Sequence, residues 1–95
     1  MSMFNVNVVA VNPQTPSIET PAIEVLVDTG SELTWLPDEL LKRAGIKPIR
    51  KRTFQMATKQ IVHRNIGYAI LRSEGFETID EVVFAEKSDM NLLGD

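Results

Sequence analysis

The chain has 95 residues, 43% of them apolar, and a formal net charge of −3. That length suits one small domain spanning residues 1–95, with a modest core that gains from burying further surface in an oligomer. The mildly acidic balance leaves no footprint for nucleic acid, which needs clustered positive charge. The absence of cysteine excludes disulfides and thiolate chemistry, and the single His63 leaves no histidine-rich metal site within one chain.

Phe4 to Val11 opens with apolar residues alternating against Asn5 and Asn7, the pattern of a half-buried strand. Asn12-Pro13-Gln14-Thr15-Pro16 breaks it. Ile23 to Val27 is nearly all apolar and reads as a strand covered on both faces, running straight into Asp28-Thr29-Gly30. Extended structure resumes over Thr34 to Leu36. Pro37 to Ala44 has a helix signature: Pro37 suits the first helical position, and Asp38 and Glu39 face the positive end of the dipole. Lys42 and Arg43 face the negative end, and Gly45 fits a left-handed stop. Leu40, Leu41 and Ala44 give that helix one apolar face. Arg52 to Met56 and Ile61 to Leu71 read as strands of a hairpin with Ala57-Thr58-Lys59-Gln60 at its tip. Ser73-Glu74-Gly75 turns the chain into a further strand, Phe76 to Ala85, followed by a polar loop over Glu86 to Asp89. Short, closely spaced strands with one helix predict a mainly β fold, a small closed β-barrel.

No apolar run approaches the roughly 20 residues of a membrane span. Met1-Ser2-Met3-Phe4-Asn5 lacks the basic start and apolar centre of a secretory leader. A soluble, cytoplasmic protein with no membrane partner and no cofactor is expected.

Asp28-Thr29-Gly30-Ser31, preceded by Val25-Leu26-Val27, carries the chemistry. Amide hydrolysis by water needs a base for the water and an acid for the carbonyl oxygen. Two carboxylates sharing one proton supply both, because like charges about 3 Å apart cannot both ionise. Gly after Asp-Thr permits an unusual turn and close backbone approach to the carboxylate. A Thr hydroxyl can tie two such loops together, and the Ser31 hydroxyl is expected to donate to the carboxylate and favour its ionised form. Asp, Thr and Gly are also ordinary turn residues, so a plain turn between strands is the bland alternative. At average residue usage the full pattern, with its apolar lead and small residue after, arises by chance in roughly one chain in a few thousand, which favours chemistry over a plain turn. There is one copy, so the second carboxylate must come from a second chain.

The run Val-Leu-Val-Asp-Thr-Gly-Ser resembles the active-site signature of retropepsin-like aspartic peptidases, and Leu92-Leu93-Gly94 resembles that family's second signature. The order strand, helix, hairpin, strands between them matches as well, so the resemblance covers most of the chain from Phe4 onward. It implies an aspartic endopeptidase acting on peptide or protein substrates as a homodimer. Asp28 would be catalytic, one from each subunit, and Thr29, Gly30 and Ser31 would support the loop. Thr29 would bond across a two-fold axis, and the Gly30 carbonyl would meet substrate. A flap hairpin over about residues 53–68 would close on the peptide. Trp35, Met56, Ala57, Thr58 and Leu92 are the candidates for pocket and flap contacts. The tip carries neither the glycines of retroviral flaps nor the Tyr of pepsin-like ones; Tyr68 comes too late. Family members continue past the second signature with a helix and a dimer-forming strand, for which this sequence, ending at Asp95, shows no counterpart.

Other features have bland readings. His63 suits a solvent-facing hairpin position, and Lys47, Arg50, Lys51 and Arg52 a solvated edge. Met56 suits packing, and Trp35 fits core and pocket wall equally. Asp38, Glu39, Asp80, Glu81 and Asp89 read as surface acids. The alternatives to a peptidase are a barrel that binds an extended peptide or partner without cutting it, and a truncated, inactive peptidase domain, including one excised from a longer chain.

Overall fold

A computed structural model describes Phe4–Gly94; the readings made at Met1–Met3 and at Asp95 lie outside those residues. In chain order the elements are β1 (Phe4–Val11), β2 (Ile23–Val27), β3 (Thr34–Pro37), α1 (Asp38–Arg43), β4 (Arg50–Gln55), β5 (Ile61–Ser73), β6 (Phe76–Ala85) and β7 (Leu92–Leu93). The mainly β class expected from the sequence is what the chain adopts. The strands form one sheet in the order β1-β2-β7-β3-β6-β5-β4. β1 pairs with two strands of this order: Phe4–Val8 with its neighbour β2, and Val9–Val11 with β5, next to the far end. The pairing therefore runs in a ring, with β4 attached to β5 outside it.

Two pairings are parallel, β2 with β7 and β3 with β6. Strands in such positions are covered on both faces and need near-continuous apolar runs. β3 (Thr-Trp-Leu-Pro) and the end of β6 (Val82 to Ala85) meet that need. Alternation sends Leu36, Val82 and Phe84 into the main core, with Val8, Val25 and Leu41. The same alternation turns Trp35, Val83 and Ala85 to the opposite face, where Phe54, Met56 and Leu92 pack against them. β2 departs from the expected coverage: Ile23 and Val25 are buried, but Glu24 is exposed and Leu26 and Val27 are half-buried. Its outer face is less covered than an all-apolar run suggests.

α1 is held mainly at its C-terminus. Gly45 takes a φ of 74°, its N–H bonds the Lys42 carbonyl, and the Ile46 N–H reaches back to Leu41. This pair of bonds is a Schellman stop, possible because glycine tolerates the left-handed conformation. The buried Asn12 adds a bond from Nδ2 to the Ala44 carbonyl (2.9 Å) and receives the Gln14 and Thr15 N–H groups on Oδ1. Asn12 thus ends β1 and seals the helix end together. Pro37 differs from expectation: it closes β3 and stands at the N-cap with ψ 128°, one position before the first helical turn. Pairing with Ala85 keeps it extended.

The β4–β5 hairpin turns over Met56–Gln60. Met56 N–H bonds Gln60 O and Lys59 N–H bonds Met56 O, both at 2.8 Å. Lys59 occupies the left-handed position (φ 68°) that glycine usually fills.

Candidate active site

Strand β2 delivers Asp28 to the mouth of the ring, and β7 holds it there. β7 lies between β2 and β3, pairing parallel with Leu26 and Val27 and antiparallel with Trp35. Leu26 N–H donates to Asn91 O, and Asp28 N–H donates to Leu93 O, each at 3.0 Å. The loop then folds back on itself. Gly30 N–H donates to Asp28 Oδ1 (2.9 Å), and Ser31 N–H donates to Asp28 O (3.1 Å).

Gly30 works by space: a Cβ there would stand 3.2 Å from Asp28 Oδ1. Its φ is not in the left-handed range, so the glycine permits close approach rather than an unusual turn. Gly94 is tighter still. A Cβ on it would fall 2.4 Å from Leu33 O and 2.8 Å from Ser31 O, so the Leu-Leu-Gly run meets the Asp-Thr-Gly-Ser loop backbone to backbone. The buried Thr34 hydroxyl accepts the Gly94 N–H (3.1 Å) and closes that contact.

Ser31 corrects the sequence expectation. Its hydroxyl donates to Leu33 O at 2.6 Å, and its single proton is thereby withheld from Asp28. Asp28 is half-buried and Thr29 exposed.

Over Asp28 opens a cleft of about 640 Å³. Of the expected residues, Asp28, Gly30, Ser31, Trp35, Met56, Ala57 and Leu92 line it together; Thr29 and Thr58 do not. Thr58 lies in the exposed turn between β4 and β5. The roof comes from β4, whose alternation presents Phe54 beside Met56. The Phe54 ring meets Trp35 at 4.9 Å between centroids, inclined by 56°. Trp35 is thus both core and cleft floor. Arg52, two residues away on the same face, lays its guanidinium 5.3 Å above the Phe54 ring and approaches Glu32 at 3.7 Å. Arg52 is exposed on the end strand, as the solvated-edge reading had it, and it lines the cleft as well; period-two alternation backward from Met56 is the signal for that second role.

Asp89 is not the plain surface acid it resembles in sequence. Its side chain is 8% exposed and accepts from Arg64 Nε (2.7 Å) and Nη2 (3.0 Å), and the Glu86 N–H adds 2.8 Å. Hydrogen bonds from the Arg64 guanidinium hold this carboxyl below its ordinary range, with the Glu86 N–H assisting and burial opposing. Nothing in the polar run Glu86 to Asp89 marks this residue, because its partner lies 25 positions earlier in the chain. His63 lies exposed beside Thr53, its Nδ1 3.0 Å from the Thr53 hydroxyl, as the surface reading required. Among the described residues no group of three or more His, Cys, Asp or Glu is placed to hold a metal ion, and no helix is long and apolar enough to cross a membrane.

A comparison with protein families finds a match to the aspartyl protease family over residues 4–94. Neither the curated proteins nor the solved structures return a match. With the Asp-Thr-Gly-Ser loop and the Leu-Leu-Gly strand locked together inside that span, the chain belongs to the aspartyl protease family of the retropepsin-like type.

Proposed function

We propose that this chain is one subunit of a homodimeric aspartic endopeptidase, its ring of strands a closed barrel and its β4–β5 hairpin the flap. Asp28 from each subunit would meet at a two-fold axis, with Thr29 bonding across it. One carboxylate, ionised, takes a proton from water held between the two. The other, protonated, donates to the carbonyl oxygen, and the tetrahedral intermediate collapses with protonation of the leaving amine. Gly30 N–H on Oδ1 fixes the orientation of the carboxylate. A substrate peptide lies extended between floor and flap, its backbone adding to the free edge of β4, and an apolar side chain enters between Trp35, Phe54 and Leu92.

The observation that carries this reading is the lock between loop and second signature: Asp28 N–H on Leu93 O and Gly94 pressed on Leu33 and Ser31. A plain turn needs no such support. Asp28→Asn tests it. Cleavage of an unstructured protein such as casein should fall by at least about 10³-fold, the scale of losing acid–base catalysis, while the dimer persists. Cleavage that survives ends the proposal. The competing reading, a barrel that binds peptide without cutting it, shares the cleft; it gains if the unmodified dimer retains bound peptide intact.

A further inference from the structure

β7 is two residues long, yet it fixes both Leu26 and Asp28 through their N–H groups. So short a strand gets little from its own ladder, and its position depends on what fastens its ends. The C-terminal end is wedged at Gly94. The N-terminal end emerges from the loop Glu86–Asn91, and that loop is fastened by Asp89. Asp89 closes the loop on itself through Glu86, where Asp89 N–H donates to Glu86 O at 2.9 Å and Oδ2 receives the Glu86 N–H. It then takes both arms of Arg64, a residue of β5 whose side chain is 10% exposed and whose Nη1 also holds the His63 carbonyl. Arg64 pairs in register with Arg52 of β4, so it sits midway along the hairpin that lines the cleft. Ser88, Asp89 and Met90 form the cleft wall between these points.

We infer that the Arg64–Asp89 pair is a positioning device that fastens the middle of the β4–β5 hairpin to the strand holding Asp28. It would set the Asp28 loop and the Met90 wall in one rigid frame with the roof. The pair does not touch the reacting atoms; it acts through Asn91 and Leu93. The inference rests on the peptidase reading only for its catalytic consequence, since the frame itself can be measured without any substrate.

Amide hydrogen exchange on the full chain tests the frame. In Asp89→Asn the Leu26 and Asp28 amides should exchange at least tenfold faster, while amides of the β5–β6 ladder around Ile66 and Val83 keep their rates. Unchanged exchange at Leu26 and Asp28 would overturn the inference, and so would an equal rise at Ile66 and Val83, which marks general destabilisation. Arg64→Lys keeps the charge and gives up the fork of two bonds; it should show the same local rise, and it serves if Asp89→Asn does not fold. In casein cleavage both variants should lose about tenfold in kcat with KM changed less than twofold. A normal kcat refutes the coupling to Asp28, whereas a wild-type chain that cleaves nothing as a dimer refutes the peptidase reading and leaves the exchange result standing.

Discussion

Gly94→Ala is the sharpest test of how the Asp28 loop is built. The added Cβ would lie 2.4 Å from Leu33 O, 2.6 Å from the Leu33 carbonyl carbon and 2.8 Å from Ser31 O. All three are backbone atoms, so no side chain can swing away. Ordinary contact requires β7 and the loop to separate by about 1 Å, and overpacking of this kind costs about 1–3 kcal/mol. The separation also strains two hydrogen bonds, Gly94 N–H to Thr34 Oγ1 and Asp28 N–H to Leu93 O, worth about 1 kcal/mol each. The sum is about 3–5 kcal/mol, which in a domain of this size lowers Tm by roughly 12–40 °C. Urea unfolding of Gly94→Ala beside Gly75→Ala measures it. Gly75 has φ 81° but nothing within 4 Å of an added Cβ, so its substitution costs only the left-handed conformation, about 1 kcal/mol. If Gly94→Ala is no worse than Gly75→Ala, β7 does not press on the loop and the account of the site is wrong.

Other outcomes follow from the same structure. Glu74 (φ 44°) and Gly75 form a two-residue hairpin turn of the type that favours Asn at its first position, so Glu74→Asn should stabilise by about 0.5–1 kcal/mol in denaturant unfolding. Ser31→Ala should cost about 1 kcal/mol through the lost bond to Leu33 O and leave the acid limb of any rate–pH profile where it was; a shifted limb would return Ser31 to the carboxylate. The Asp89 carboxyl is depressed by Arg64, so its contribution is present above the unfolded carboxylate pKa of about 3.9 and is lost as pH falls through the lower folded value. Asp89→Asn should therefore cost about 2 kcal/mol at pH 7, less at pH 3, with the two proteins converging in acid; a gap that is constant with pH would contradict the pairing.

Local chemistry was enough to read much of the fold. β1, β2 and β6 begin and end where alternation and breakers put them, and Gly45 stops α1 as its left-handed preference requires. β7 was not legible as a strand, because Leu92-Leu93 has too few residues for any period, and its pairing comes entirely from distant β2 and β3. The site divides in the same way. Asp28, Gly30 and Leu92 were visible through motifs, and Trp35 and Met56 through position. Arg52 was hidden in a run of cations, because Arg50 shares its face yet pairs with Glu81 and only Lys51 alternates to the other side. Asp89 was hidden because a salt bridge is a property of two segments, and the sequence around either partner looks like ordinary solvated surface. The Ser31 hydroxyl was misdirected for a related reason: the competing acceptor, Leu33 O, becomes available only once the loop is folded.

The two fastenings of β7 carry different physics, and that difference bears on how the site could respond to its surroundings. At Gly94 the contact is steric, backbone against backbone, and has no dependence on pH or salt. At Asp89 it is a charge-assisted fork between two nearly covered side chains, strong at neutral pH and weakened by acid. Acid would therefore loosen β7 from its Asn91 end, and with it the bonds that Leu26 and Asp28 donate, while the steric contact at Gly94 is unchanged. A peptidase built on this frame would lose the register of Leu26 and Asp28 against β7 as Asp89 takes up its proton, so acid should lower kcat before it raises KM, the signature also expected of Asp89→Asn.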